Sequence, residues 1–248
     1  MQLDSVALQL YTVRDETARD FVGTVRRVAE IGYRAVEFAG YGGLSAREMA
    51  TLLKETGLKA ASTHVGLAAL EKNLEGEIDY CLEIGCQYLI MPWLPPELRT
   101  PEYFRTLAPR LNEWGVRCHE RGLHFGYHNH DFEFVPHDGK YLLDSLLEVT
   151  NDVLFKLELD VYWAAYAGVD PASYIQQHSG RIPLIHVKDM TPDRTFTEVG
   201  DGTLNLEYVI QIARANGTQW FVVENDRPTI PSLESARRSL ENLQKMNV

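Results

Sequence analysis

The chain has 248 residues, 45% of them apolar and 24% charged, with a formal net charge of −11; this length is close to the roughly 250 of a (β/α)8 barrel, and the composition is that of a soluble globular protein. The acidic balance argues against a non-specific grip on nucleic acid, which needs a Lys/Arg surface. Three cysteines, Cys81, Cys86 and Cys118, with no CxxC pair, argue against a disulfide framework or a thiolate zinc site.

No basic stretch leads into an apolar one at the start, and no apolar run approaches the ~20 residues of a membrane span, so a cytoplasmic protein with no membrane partner is expected. Val6–Tyr11 reads as a first strand, and Phe21–Ile31 as a helix stopped at Gly32. Strand Ala35–Phe38, helix Ala46–Thr56 stopped at Gly57, and strand Leu58–Thr63 follow. Strand Tyr88–Met91, helix Tyr103–Arg121 stopped at Gly122, and strand His124–His128 continue the alternation. Then come helix Leu142–Val149, strand Leu154–Asp160, helix Pro171–His178 and strand Leu184–Val187; helix Leu206–Ala215, before Gly217, leads to strand Phe221–Glu224. Glycine just past a helix is the expected stop, and strands alternating with helices mean βαβ units and a parallel sheet. Eight such units predict one closed α/β barrel spanning residues 1–248. An open doubly wound sheet would show a Gly-rich turn after its first strand, where this chain has Leu10-Tyr11-Thr12-Val13-Arg14.

Barrel chemistry sits at the C-terminal strand ends, where side chains alternate between lumen and helix layer. Strand one offers Gln9 and Tyr11 on one face, strand two Glu37, and strand three His64 with Ser62. Strand four offers little but Trp93, and strand five ends in Tyr127-His128-Asn129-His130-Asp131. In strand six, Lys156, Glu158 and Asp160 alternate with Phe155, Leu157 and Leu159, so the charges share the inner face. Strand seven places His186 with Lys188, and strand eight ends in Glu224. Any one has a dull alternative: a strand-end acid often caps the next helix, Lys188 can pair with Glu158, and Trp93 or Trp163 can pack in the core. Ionisable groups at nearly every strand end are harder to dismiss, because desolvating each costs several kcal/mol unless it is paired or bound to a cation.

Asp160, His186, Glu224 and one of His128 or His130 form a carboxylate–imidazole set on four consecutive strands. Adjacent strands lie ~4.8 Å apart, so their tips can converge on one ion at roughly 2.0–2.2 Å. Oxygen and imidazole ligands suit Mn²⁺, Zn²⁺, Co²⁺, Fe²⁺ or Mg²⁺.

With these residues in place, the chain resembles the xylose-isomerase-like TIM barrel superfamily, in its sugar phosphate isomerase/epimerase branch. The resemblance runs nearly end to end, through Leu8 to Arg14, Gly32 to Glu37, Tyr127 to Phe134, Glu158 to Trp163, Gly180 to Asp189, Val199 to Gly202 and Val223-Glu224. It implies one divalent metal, Mn²⁺ foremost, on His128, Asp160, His186 and Glu224. The family's usual first ligand is a glutamate, which His128 replaces here. The resemblance implies a sugar isomerase or epimerase that removes a proton beside a metal-bound carbonyl and passes through an enediolate. The alternative is a lyase or dehydratase of a keto-inositol or 3-keto-glycoside, like inosose dehydratases. Because the two-glutamate scheme does not transfer intact, Glu224, Glu158 and His130 are the expected acid–base groups, with Glu133 a weaker candidate. Gln9, Tyr11, Glu37, His64, Trp93, Trp163 and Lys188 are expected to bind a sugar or polyol substrate. No Gly-rich anion turn is present, and Arg14, Arg181 and Arg227 are scattered in sequence, so an unphosphorylated substrate is expected. A DNA-repair nuclease on this barrel would need a basic surface, and a catalytically dead sugar-binding barrel would not need the ligand set.

Overall fold

The structure is a computed structural model, and it describes residues 3–246. Eight strands form the barrel: β1 (Val6–Gln9), β2 (Ala35–Phe38), β3 (Lys59–His64), β4 (Tyr88–Met91), β5 (His124–His128), β6 (Phe155–Asp160), β7 (Leu184–Val187) and β8 (Trp220–Val223). They close in the order β1-β8-β7-β6-β5-β4-β3-β2, and every neighbouring pair is parallel. Two short antiparallel ladders, Pro136–His137 with Lys140–Tyr141 and Asp189–Met190 with Phe196–Thr197, sit on the loops after β5 and β7.

The apolar alternate residues of the strands, such as Phe155, Leu157 and Leu159 of β6, face the helix layer and join one continuous core. Their polar neighbours are left to the lumen, which is how Glu158 and Asp160 come to be completely buried. Helices end where the glycines predict: Gly32 and Gly57 take φ of 118° and 71°, left-handed values that side chains disfavour.

Three differences from the sequence reading have physical causes. The first strand stops at Gln9 because the Gln9 side chain accepts the Tyr11 N–H and starts a 3₁₀ turn over Leu10–Val13, so Gln9 and Tyr11 do not share a strand face. Helix Leu67–Glu83 begins at Gly66, which has no side-chain cap, and is interrupted by a non-helical Asn73, so its periodicity is broken. Helix Ser232–Lys245 buries Ser232, Ser235, Ala236 and Ser239 beside Leu240 and Leu243, a stripe too polar to read as apolar. Among the described residues, no helix is long and apolar enough to cross a membrane.

Candidate active site

Side-chain contacts group the polar residues of the lumen into two layers. The lower layer comes from β1, β2, β3 and β6. Glu37 is paired in register with Gln9 on one side and Ser62 on the other. The Gln9 amide donates to Glu37 Oε1 at 2.5 Å, and the Ser62 hydroxyl donates to Glu37 Oε2. His64 Nε2 lies 2.6 Å from Glu158 Oε2, and His186 Nε2 lies 2.7 Å from Glu37 Oε1.

The upper layer comes from the ends of β5 to β8. Asp160 and His186 are directly opposed in register. One oxygen of Asp160 accepts the Trp163 N–H at 3.0 Å and caps the helix Val161–Tyr166, while the other lies 2.9 Å from Lys188 Nζ. The capping role and the site role are thus divided between the two oxygens of one carboxylate. His186 Nδ1 lies 2.7 Å from Glu224 Oε2, and His128 Nε2 lies 3.7 Å from Asp160 Oδ2. Lys188 does not pair with Glu158. It contacts Asp160, Glu224 at 2.7 Å and Asp226 at 2.9 Å.

Asp160, His186 and Glu224 each bring a ligand atom within 4.8 Å of the others, and His64, His128, Glu158 and His186 form a second such group. Five carboxylates (Glu37, Glu158, Asp160, Glu224 and Asp226) meet one ammonium, Lys188, and two histidines drawn toward protonation, His64 and His186. With both rings charged and all five carboxylates ionised the cluster would be two positive charges short, a deficit that protons or a cation would fill, and burial raises both the Glu158 and the Asp160 carboxyls. Glu158 Oε1 is buried without a hydrogen-bond partner. A buried anionic cluster with an orphaned oxygen and mixed oxygen and imidazole donors fits a divalent cation.

The local charges sort these groups. Burial favours a neutral Glu224, but Lys188 and His186 outweigh it and hold the carboxyl far below the usual range. At Asp226 burial prevails over Lys188 and pushes the carboxyl up to about 6. Burial and the Lys188 charge push His130 down to about 3, and burial with the charge of His186 keeps His128 neutral. At His64 burial is outweighed by Glu37 and Glu158, which raise the ring to about 9. The Gln9 amide, 3.3 Å from His64 Nδ1, opposes that protonation because it would set N–H against N–H. The shorter carboxylate contact decides for the charged ring.

Above these layers opens a cavity of about 700 Å³. Its walls include Tyr11, Trp93 and Trp163 and, grouped together, Lys188, Glu224 and Asp226, and its floor includes His64, His128 and His130. Gln9, Glu37, Glu158, Asp160 and His186, all with 0% exposure, lie beneath that floor. Glu133 lies away from the cavity, held by the Tyr127 hydroxyl and the His130 N–H. Arg14 and Arg227 reach the cavity rim, whereas Arg181 is spent on the carbonyls of Leu147 and Thr150. Asp226 went unremarked in the sequence. Its only signal is its place two residues beyond Glu224, in a loop with no fixed period.

A family model described as xylose isomerase-like TIM barrel matches residues 25–246. An inosose dehydratase from Geobacillus kaustophilus (strain HTA426) is 26% identical over 242 residues, covering 81% of this chain and 78% of its own. Other inosose dehydratases match over a shorter stretch, the chain spanning about half of their length. Among solved structures, a sugar phosphate isomerase/epimerase from Parabacteroides distasonis ATCC 8503 superposes with a TM-score of 0.85 at 23% identity, covering 98% of this chain and 94% of that one. A D-allulose 3-epimerase from Methylomonas sp., in complex with D-allulose, gives 0.74 at 14% identity over 98% and 96%. At these identities the two structures establish the fold.

Proposed function

Because the chain belongs to the xylose isomerase-like TIM barrel family, we propose that it removes a proton beside the carbonyl of a keto-polyol or keto-sugar, and that the outcome is elimination. The proposed activity is that of a metal-dependent carbon–oxygen lyase of the inosose dehydratase kind. The supporting observation is the distribution of the cavity-facing carboxylates. Glu224 and Asp226 stand together on one wall, joined by the Lys188 ammonium at 2.7 and 2.9 Å. The other ionisable groups on the floor are the histidines of β3 and of the β5 end, His64, His128 and His130. Two-base epimerisation needs matched proton carriers on opposite faces of the substrate. Elimination needs a base and an acid of different strength, and two carboxylates pushed apart in pKa supply that difference.

His128, Asp160, His186 and Glu224 would hold one divalent ion, with Mn²⁺ the first choice. Bound there, such an ion supplies Lewis-acid polarisation of a carbonyl oxygen. Glu224, ionised throughout the neutral range, accepts the proton. Lys188 holds both carboxylates in register. Asp226, with its raised pKa, returns a proton to the departing oxygen. Tyr11, Trp93 and Trp163 offer aromatic walls to the ring and exclude water. The second reading, epimerisation, draws on His130. This ring is neutral and lines the same cavity as Glu224, where it can carry the second proton.

The test is incubation in D₂O with Mn²⁺ over a panel of keto-inositols, ketoses and 3-keto-glycosides. Loss of water or of an alcohol supports the lyase, and deuterium uptake without loss supports the epimerase. Neither with any substrate overturns both readings.

A further inference from the structure

We propose that Glu37 and Glu158 are positioning residues, two carboxylates beneath the cavity floor that fix which ring nitrogen of His186 faces the cation site. The inference rests on the cation reading above and goes beyond it, since neither carboxylate can touch substrate: both have 0% exposure.

The His186 ring is held between the two layers. His186 turns Nε2 down to Glu37 Oε1 at 2.7 Å, with Glu158 Oε2 at 3.3 Å, and turns Nδ1 up to Glu224 Oε2 at 2.7 Å. His128 stands nearby, with Nδ1 3.2 Å from Glu158 Oε2 and Nε2 3.7 Å from Asp160 Oδ2, but its Nδ1 makes no hydrogen bond, so its ring is not fixed in this way. The carboxylates below thus leave His186 Nδ1 as the nitrogen that joins Glu224. A histidine that binds a metal needs its other N–H taken up by an acceptor, which sets tautomer and ring orientation.

Glu37 can do this because it cannot turn. It stands on β2 and reaches across the lumen to β7. Its Oε2 accepts the Ser62 hydroxyl, and its Oε1 accepts the Gln9 amide at 2.5 Å. Gln9 is fixed in turn, since its own carbonyl oxygen accepts the Tyr11 N–H at 3.0 Å. Glu158 is braced from the opposite side by His64 Nε2 at 2.6 Å. The ring planes of His64 and His186 lie 5° from parallel with centroids 5.4 Å apart, and both rings contact the same pair of carboxylates.

The experiment compares the full chain with Glu37→Gln, Glu158→Gln and Ser62→Ala. Mn²⁺ affinity is read by calorimetry, and histidine ring ¹⁵N shifts are read by NMR on the metal-free proteins. Loss of such a partner weakens metal binding roughly 10–100-fold. That drop is expected for the glutamate variants, with a smaller one in the same direction for Ser62→Ala, which removes only the brace on Glu37. In the metal-free spectrum, the wild type is expected to show a hydrogen-bonded proton on His186 Nε2 that Glu37→Gln loses. Unchanged Mn²⁺ affinity in folded Glu37→Gln, or an unchanged His186 pattern, overturns the proposal. If a glutamate variant fails to fold, Ser62→Ala decides by the same two readouts. If the wild type binds no Mn²⁺, the cation reading fails while the ring spectra still decide whether Glu37 and Glu158 hold His186.

Discussion

Lys188 is the side chain whose removal tests the site most directly. Its ammonium is 2% exposed and lies within 2.9 Å of Asp160, Glu224 and Asp226. Two of those three are proposed cation ligands, so the ammonium and a divalent ion compete for the same charge. Lys188→Met keeps an unbranched chain in the same space and strands three carboxylates. Breaking a buried pair by removing one partner costs about 3–5 kcal/mol. At about 2–4 °C per kcal/mol for a domain of this size, the melting temperature in EDTA should fall by roughly 6–20 °C. Mn²⁺ should reverse much of that loss. An ion at a hundredfold excess over its Kd adds about 2.7 kcal/mol, and without the competing ammonium the variant's Kd should be tighter. The assay is thermal unfolding of both proteins in EDTA and across a Mn²⁺ series. A Mn²⁺-induced rise in melting temperature as large in the wild type as in Lys188→Met would refute the reasoning. It would mean that Lys188 accommodates the ion rather than competing with it.

Glu224→Gln removes the proposed base and should lower proton exchange from substrate by about 10²–10⁴-fold, read by deuterium incorporation. EDTA should abolish exchange and Mn²⁺ should restore it; activity that survives exhaustive chelation counts against the metal. Glu133 is fully buried, and burial raises its carboxyl to about 8 against the hydrogen bonds from Tyr127 and His130. The folded chain therefore keeps a proton that the unfolded chain releases near the usual 4.5, so stability falls as pH rises from 4.5 to about 8. Glu133→Gln should remove that loss and leave a flatter stability–pH curve over this window; an unchanged slope in denaturant unfolding would exclude Glu133 as its source.

Most of the barrel was legible in the sequence because its signals are local. A glycine after each of four helices, and strands alternating with amphipathic stretches, need no tertiary information to read. The same period-two rule put Glu158 and Asp160 on one face, where the structure has them. It carries no measure of depth, however. Glu158 and Asp160 differ by one layer, so one contacts His64 while the other faces Lys188. The same rule points Glu37 toward substrate, yet pointing inward and reaching the cavity are different things in a lumen two layers deep, and Glu37 is fully buried. Asp226 lay outside any periodic element. Its position depends on Asn225, whose N–H is held by Thr12 at 3.1 Å, a contact 213 residues away in sequence.

The placement of Asp226 carries a stereochemical consequence. If Glu224 takes the proton and Asp226 serves the departing oxygen, both act from one wall, within the span of a single ammonium. The hydrogen and the leaving oxygen must then lie on the same face of the substrate ring, and the elimination is syn. A keto-inositol deuterated stereospecifically beside its carbonyl distinguishes the outcomes by mass. Loss of the label from the face that bears the leaving oxygen fits the two-carboxylate wall. Loss from the opposite face would move the base to His130 or His128 and would leave Asp226 without a chemical role. Asp226→Asn separates the cases again. In the syn scheme it should slow departure of the oxygen while proton exchange continues, because Glu224 keeps both Lys188 and His186. If exchange and departure fall together, Asp226 serves only to hold Lys188 in place.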